Sequence, residues 1–344
     1  RRYMSDLNEV IEQFINKGNY QDAERICNHA IDVMVYFKSK VHESYLTQAV
    51  YYMAIISAYN GEWKKATECI EYAYAYYAKT EHSEMLAQLL VLYSKYYQYF
   101  GNVQEALRYA ELSFSICKSI PMEHRNHDKC FHSFINYAKC IINSGNYDFG
   151  MELLASLQIY VKEEQGAEHL NMAQIWLEYL NYGINIKNKE AGYTGFVKAK
   201  DILATHEEEL LCNSGLANIF VKDYIDLYVM GAQLFLQNND NDNALAASET
   251  AIKYVIKYYG EAHPYILMPI LLQSQAMQKM GNIREYTIKN SMYANQLAQE
   301  LYGRNHWIVG ETQWRLAELA LEMQHTEDFE QYVDTIQQIF SHNI

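Results

Sequence analysis

Apolar residues recur at helical spacing along the chain, and short turns interrupt them at regular intervals. Five of these turns begin with glycine: Gly18-Asn19-Tyr20, Gly61-Glu62-Trp63, Gly101-Asn102-Val103, Gly145-Asn146-Tyr147 and Gly281-Asn282-Ile283. The first four glycines are 43, 40 and 44 residues apart. Glycine after an amphipathic helix supplies the positive φ of a helix C-cap. The pattern therefore predicts pairs of antiparallel helices joined by tight turns.

Small residues hold fixed positions on both sides of the turns. Five residues after the glycine, in the second helix, stand Ala23, Ala66, Ala106 and Gly150. Seven residues before the turn, or at the matching place in units without the glycine, stand Ala54, Ser94, Ala138, Ala232, Ser274 and Ala317. Two helices approach closely only where one side lacks bulk. We expect these positions to be the contacts inside each hairpin.

This spacing resembles the tetratricopeptide repeat, and its clearest match is Val50, Met53-Ala54, Ser57, Gly61, Trp63, Ala66, Ile70 and Ala73. A second signature occurs twice, as Tyr259-Gly260-Glu261-Ala262-His263-Pro264 and Tyr302-Gly303-Arg304-Asn305-His306-Trp307. It is similar to the YG-x-x-HP element of the long, roughly 42-residue repeat of kinesin light chains. The resemblance implies an all-α fold, an α-solenoid with a right-handed superhelix of about eight tetratricopeptide-like hairpins.

The period is uneven along the chain. The turn Lys187-Asn188-Lys189 has lost its glycine, as has the polar turn at 238–243, and the period slips between them. We expect an N-terminal array of about five hairpins over 1–200, an irregular segment over 201–224, and a C-terminal array of about three hairpins over 225–344. His263 and His306 recur at equivalent junctions, which favours a structural role such as bonding a helix-end carbonyl.

Composition supports helices and narrows the partners. There are only 3 prolines and 15 glycines, and half of the residues are hydrophobic, so the chain has little to break helices and ample apolar area to fold. The formal net charge is −14, which repels a phosphate backbone and makes nucleic acid an unexpected partner. The six cysteines form no CxxC pair, which favours free thiols in a reducing compartment, and we expect the cytoplasm.

The chain shows no membrane or targeting signal. No apolar run approaches the roughly 20 residues needed to cross a bilayer, and the start RRYMSDLNEV lacks the apolar stretch of a secretory signal. Membrane insertion is therefore not expected. The absence of an initial Met leads us to expect a processed product or part of a longer protein.

In such arrays the first helix of each hairpin lines the concave side, and its unpacked residues are available to a ligand. By the spacing, these partner-binding candidates are Gln48, Tyr51, Tyr59, Lys95, Gln98, Tyr99, Lys139, Asn143, Asn181, Asn185, Gln233 and Gln237. Amide side chains pair with an extended peptide backbone, and Lys95 and Lys139 are suited to a carboxylate. The alternative is that each is an ordinary solvated helix position. The negative net charge favours a basic or neutral partner.

One cluster carries side chains that bind zinc: His124, His127, Cys130 and His132. Its spacing matches no established finger, and histidines also collect in solvated loops between repeats, so a structural role is the stronger interpretation. The run Glu207-Glu208-Glu209 is interpreted as a solvated face. No phosphate-binding glycine loop, GxSxG or HExxH motif occurs, and we expect neither a cofactor nor an enzyme.

The leading hypothesis is a non-catalytic scaffold that binds a protein or peptide segment on its concave face, with the 201–224 break as the other candidate surface. One alternative is the helical regulatory part of a larger enzyme, since a YG-x-x-HP pattern also occurs in the C-terminal region of SET and MYND methyltransferases. Another is a peptide-sensing tetratricopeptide regulator. The array is either free or a subunit of a large assembly.

Overall fold

The computed structural model describes residues 2–38, 40–80, 83–208 and 214–342, with the backbone alone for 214–220. This part of the chain forms sixteen α-helices and no strand. The helices are α1 (Arg2–Asn16), α2 (Tyr20–Tyr36), α3 (Glu43–Tyr59), α4 (Trp63–Tyr77), α5 (Ser83–Tyr99), α6 (Val103–Ser119), α7 (His127–Asn143), α8 (Tyr147–Glu164), α9 (Leu170–Asn185), α10 (Lys189–Thr205), α11 (Ser214–Gln237), α12 (Asn241–Tyr259), α13 (Leu267–Lys279), α14 (Glu285–Tyr302), α15 (Trp307–Glu322) and α16 (Thr326–His342). They make eight consecutive pairs, in agreement with the predicted hairpins.

The chain divides into two compact units. Unit 1 comprises Arg1–Glu178 and Asp201–Phe220, and unit 2 comprises Tyr179–Lys200 and Val221–Ile344. Among the described helices, none has the length and apolar character needed to span a bilayer.

In unit 1 each odd-numbered helix packs on the even-numbered helix that follows it. The odd-numbered helices also contact one another in order, α1 with α3, α3 with α5 and α5 with α7. Together these four helices form what we call the odd-helix layer. The small residues at the hairpin contacts are buried as predicted, for example Ala54 at 0% and Ala106 at 1% exposure. A Cβ at Gly150 would lie 2.6 Å from Cγ1 of Ile142, so this hairpin admits no larger residue there without a shift.

In unit 2, α13 packs on α14 and α15 packs on α16, as in unit 1. Successive hairpins contact one another through α12 with α13, α14 with α15 and α13 with α15. Here two glycines bring α9 and α10 together. A Cβ at Gly183 would lie 2.4 Å from the backbone nitrogen of Gly192, and a Cβ at Gly192 would lie 2.6 Å from Cδ1 of Leu234. The backbones therefore approach at a distance that only glycine allows.

The glycine turns adopt the predicted conformation. Gly61 has φ 74° and Gly281 has φ 67°, and each turn closes with backbone bonds that reach back into the preceding helix, such as Glu62 N–H to Ser57 O at 2.9 Å. The same left-handed position is held by Lys187 at φ 56°, Asn239 at φ 59° and Gln324 at φ 60° in the three described hairpins whose turns lack the glycine. The turn survives there without its usual residue.

Aromatic residues after the turns pack on the next hairpin. The Tyr20 ring stacks on Tyr59 with centroids 3.7 Å apart and planes 10° apart. Trp63 holds the equivalent place one hairpin later, 5.8 Å from Tyr99 and 6.2 Å from Tyr96. These rings therefore join one hairpin to its successor.

The junction histidines have a structural role, in which each accepts a backbone N–H. Nδ1 of His263 accepts the backbone N–H of Tyr265 at 3.2 Å, and Nδ1 of His306 accepts that of Ile308 at 3.1 Å. Each ring thus caps the N-terminus of a following helix, where donors lack intrahelical partners. His42 and His169 make the same bond to a backbone N–H two residues later, both at 3.1 Å.

The segment 201–224, expected to be irregular, is helical at both ends. Residues 201–205 complete α10, and residues 214–224 begin α11. Helix continues here because the sequence around Phe220-Val221-Lys222-Asp223 keeps helical periodicity into Tyr224 and Ile225. The acidic run at 207–209 is described only for its first two residues, and Glu209 lies outside the described residues.

Candidate functional site

A hydrogen-bonded set of polar side chains joins α5 to α7 in the odd-helix layer. Gln98 donates from Nε2 to Oδ1 of Asn136 at 2.9 Å, and Asn136 donates from Nδ2 to Oγ of Ser94 at 3.0 Å. The Ser94 hydroxyl in turn donates to the carbonyl of Ala106 at 2.8 Å. Asn136 is 4% exposed, so its polar atoms depend on these protein partners. The network fixes where the Gln98 amide stands.

A second set joins α1 to α3. Asn8, which is 2% exposed, donates from Nδ2 to the carbonyl of Tyr45 at 3.1 Å and to Oε1 of Gln48 at 3.2 Å. Gln48 then donates from Nε2 to the Tyr52 hydroxyl at 3.1 Å. The half-buried Gln48 is therefore held by both of its amide atoms, and its orientation is set before any ligand arrives.

Cationic and amide side chains project from this layer toward solvent. Lys95 on α5 and both Lys139 and Asn143 on α7 are exposed. The two lysines act on the same buried thiol: burial raises the pKa of Cys140 to about 11, and the bond from Ser94 and the charges of Lys139 and Lys95 oppose the rise. Both ammonium groups therefore lie within electrostatic range of one point.

His132 lies in the same part of the layer, on α7. The side chain is open to solvent, yet the protein around it lowers its pKa, and the charge of Lys95 lowers it further while Asp128 opposes the change. Glu178, which is 7% exposed, supplies a negative charge near Cys140. This part of the layer therefore carries charges of both signs.

The three candidate tyrosines are less accessible than the sequence predicts. Tyr51 is 3% exposed and packs against Tyr77 in a T-shaped arrangement with ring centroids 6.2 Å apart, so its ring belongs to the core, and burial raises its pKa. The expectation of an available ligand contact at Tyr51 is corrected by this packing. Tyr59 and Tyr99 are half-buried, because Tyr20 and Trp63 cover one side of each.

Unit 2 holds the remaining four candidates. Asn185 is exposed and donates from Nδ2 to both the carbonyl and Oδ1 of Asn181, at 2.8 and 3.0 Å. Gln237 donates from Nε2 to the carbonyl of Ile184 at 3.0 Å, and Gln233 is half-buried. The Asn185 and Gln237 amides are thus already bonded to helix ends of unit 2.

The structure does not gather the candidate zinc ligands. His127 bonds through Nδ1 to the Tyr160 hydroxyl at 2.6 Å, and its Nε2 lies 3.5 Å from Glu164. Cys130 is fully buried, and its hydrogen bond with Cys117 and its burial raise its pKa, whereas His124 and His132 are exposed. Within the described ranges, no group of three metal-binding side chains comes together. The helical register separates residues that are close only in sequence.

Asn8 and Asn136 were missed by sequence reasoning. Both are buried amides in apolar surroundings, and both bond to amide candidates on the neighbouring odd helix. An asparagine within an otherwise apolar helix face was the available signal, since such a residue requires a partner when it is buried.

The comparisons with known proteins bear on the fold. No protein-family model matches the chain, and no curated protein matches it in sequence. The crystal structure of a Rap protein complexed with competence and sporulation factor matches 99% of this chain and 98% of its own, with a TM-score of 0.65 at 11% identity. A signal transduction ATPase with a tetratricopeptide repeat sensor from Pyrococcus horikoshii reaches a TM-score of 0.48 at 14% identity, over 97% of this chain and 50% of its own.

At such identities the likeness concerns the fold alone. The full-length match to the Rap structure, the eight hairpins and the left-handed turns agree with one another. The chain is an all-α array of tetratricopeptide-like hairpins.

Proposed function

We propose that the chain is a non-catalytic scaffold that binds an extended peptide segment of another protein along the odd-helix layer of unit 1. The observation that carries this proposal is the exposed set of Lys95, Lys139 and Asn143 beside the oriented amides of Gln98 and Asn136. The Rap protein of similar fold is complexed with competence and sporulation factor, which is consistent with an array of this kind holding a protein factor.

The chemistry of this surface suits a peptide main chain. Amide side chains both donate and accept, so they pair with peptide N–H and C=O groups whatever the peptide sequence. Because Gln48 and Gln98 are already oriented by protein partners, binding loses less side-chain entropy than it would at a disordered surface. The groups that would bind a peptide backbone are therefore already oriented in the free protein.

Charge selects the peptide further. The net charge of −14 attracts a basic segment at long range, repels an acidic one and does not repel a neutral one. Lys95 and Lys139 then provide a local positive site for one carboxylate, and we assign it to the free C-terminus of the peptide. A neutral or basic peptide with an unblocked C-terminus is thus the proposed ligand class.

The test starts from peptides selected on the whole chain from a library of random sequences with free C-termini. Affinity is then measured by fluorescence anisotropy for the Lys95→Ala/Lys139→Ala variant, and we expect it to fall at least about tenfold, or about 1.4 kcal/mol. The matched control is Lys64→Ala/Lys162→Ala, which removes two exposed lysines from the even helices α4 and α8. Amidating the peptide C-terminus should weaken binding to the wild type and leave binding to the double variant unchanged.

Three results count against this function. The library yields no binder, the Lys95/Lys139 variant binds as well as the wild type, or the Lys64/Lys162 control loses as much affinity. The last result would show that the peptide does not bind on the odd-helix layer.

We also place the protein in the reducing environment of the cytoplasm. The five cysteines that the structure describes are free thiols, and four of them are buried: Cys27, Cys117, Cys130 and Cys140. Buried free thiols of this kind persist where disulfides are kept reduced. Fractionation of cells that express a tagged chain tests this location.

A further inference from the structure

Three lysines converge on a recess in unit 2 that no candidate function uses. The ends of three helices meet there, and the recess encloses about 230 Å³. Its polar lining is Lys187, Lys189, Gln237, Asn238, Asn239 and Lys279. In a chain where acidic residues outnumber basic ones by 42 to 28, three lysines at one small site form a local reversal of charge.

Within the part of the chain that the structure describes, the three lysines of the recess have no carboxylate partner. Among the described carboxylates, none forms an ion pair with Lys187, Lys189 or Lys279. Lys279 donates from Nζ to the carbonyl of Leu236 at 3.4 Å, and the ammonium of Lys189 lies 5.7 Å from the centre of the Tyr193 ring. Both partners are uncharged, so they position the ammonium groups and leave their charge available.

The nearby carboxylate is already occupied. Asp240 follows the recess residues and caps α12, where its Oδ1 accepts the backbone N–H of Asn243 at 3.4 Å and its Oδ2 accepts from Asn243 Nδ2 at 2.7 Å. These bonds direct its charge toward the helix N-terminus, which itself favours a negative group.

The backbone provides an independent observation. Lys187 and Asn239 line the recess from the left-handed turn position that glycine holds in five other hairpins. A lysine in this conformation costs on the order of 1 kcal/mol relative to glycine, because its Cβ crowds the following carbonyl. Strain of this kind is retained where the surrounding structure uses the residue. Of the three described turns that hold a residue other than glycine in this position, two therefore line the three-lysine recess, and the third, at Gln324, is not part of its lining.

We propose that this recess binds a phosphate-type oxyanion. Three ammonium groups match a group that carries two or more negative charges better than they match a single carboxylate, and lysine binds phosphate as a point charge. Gln237 donates one amide N–H to the carbonyl of Ile184 at 3.0 Å, and Asn238 donates one to the carbonyl of Leu234 at 2.8 Å. Each amide group carries two N–H donors, so one remains on each side chain for further oxygens. A volume of about 230 Å³ suits a phosphate group with a few waters and is below the size of a typical drug-like ligand site.

The phosphate is either free or carried on a phosphorylated side chain of a protein partner. The inference is independent of the peptide-binding proposal, because its residues lie in unit 2 and the proposed peptide contacts lie in unit 1. Loss of either activity leaves the other in place.

The test titrates the full chain with sodium pyrophosphate, and separately with a phosphoserine peptide and its unphosphorylated form, by isothermal titration calorimetry at low ionic strength. Lys187→Gly and Lys279→Gln should each weaken binding of the preferred probe at least tenfold. The control Lys253→Gln removes an exposed lysine of α12 in the same unit and should have no effect. Lys187→Gly relieves the left-handed strain, so its loss of binding cannot be attributed to unfolding when its Tm equals or exceeds that of the wild type.

The two sources give different results. Tighter binding of pyrophosphate than of the phosphoserine peptide assigns the site to a free phosphate compound, and the reverse order, with no binding of the unphosphorylated peptide, assigns it to a phosphorylated partner. If neither probe binds, or if Lys187→Gly and Lys279→Gln bind as the wild type does, the proposal is overturned.

Discussion

Gln98 on α5 and Asn136 on α7 share a hydrogen bond of 2.9 Å, from Nε2 to Oδ1, that crosses between two consecutive hairpins. Because Asn136 also donates to Ser94, one buried amide connects both helices and the turn-side contact at Ala106. A polar bond of this kind sets the register of neighbouring helices more sharply than apolar contact does, since displacement leaves buried polar atoms unpaired.

Replacing Asn136 by Ala should therefore lower the free energy of unfolding by about 1–3 kcal/mol, because Gln98 and Ser94 lose a partner in a buried environment. Urea titration followed by circular dichroism measures the change. Asn143→Ala, at an exposed position of the same helix, is the control and should stay within about 0.5 kcal/mol. A double-mutant cycle with Gln98→Ala should show coupling of about 1 kcal/mol. Additive effects would show that the bond does not couple the helices.

His306 should make stability depend on pH. Burial lowers its pKa from 6.5 to about 4 in the folded chain, so on acidification the unfolded chain binds the proton first. The stabilising contribution is complete above about pH 6.5 and is lost as the pH falls toward about 4, by up to about 3 kcal/mol. Asn is also a good N-cap and does not titrate, so His306→Asn should reduce this part of the pH dependence. Urea midpoints measured from pH 4.5 to 7.5 would refute the assignment if both proteins gave parallel curves.

Gly183 should tolerate no larger residue. Its added Cβ would meet the backbone nitrogen and Cα of Gly192 at 2.4 and 2.6 Å, and a backbone cannot move aside as a side chain can. We expect Gly183→Ala to destabilise the protein by about 2–3 kcal/mol. Gly310→Ala is the contrast, because the nearest atom lies 3.4 Å away and alanine favours helix. Thermal unfolding in which both variants behaved alike would contradict the close approach of α9 and α10.

Exchanging lysine and glycine at the turns of two hairpins should change the free energy of unfolding in opposite directions. Lys187→Gly should raise the free energy of unfolding by up to about 1 kcal/mol, and Gly281→Lys should lower it by about as much. The two sites have φ values of 56° and 67°, and a Cβ at Gly281 would meet nothing within 4 Å, so the backbone conformation accounts for the difference. Chemical denaturation of the two single variants checks the sign. An increase for Gly281→Lys would show that the turn does not hold this conformation in solution.

Much of the fold could be predicted because its determinants are local. Gly61 and Gly281 mark turns by themselves, and Ala54 and Ala106 mark close helix contacts by their distance from the turn. The role of His306 was predicted only in part, because its position in the repeat is visible while the choice between a carbonyl and an N–H partner depends on local backbone geometry.

The sites were harder to predict because they depend on residues that are distant in sequence. Lys187 and Lys279 are about ninety positions apart and meet only after the hairpins stack. His127 and Cys130 show the opposite case, because they are close in sequence and the helix directs the two side chains to different partners. Tyr51 was predicted to be exposed because the spacing places it on the open face of its helix. Its ring is buried against Tyr77, a contact that the spacing does not reveal.

The aromatic joint between hairpins has a consequence for how such a chain can change in length. Tyr20 rests on Tyr59, and Trp63 rests on Tyr99, so each of the first two hairpins presents an aromatic ring to a tyrosine of the hairpin that follows. Excision of the whole hairpin from α3 to α4 would leave Tyr20 facing Tyr99, an equivalent contact, whereas excision of half a hairpin would not. We therefore expect this part of the chain to gain or lose length in steps of a whole hairpin.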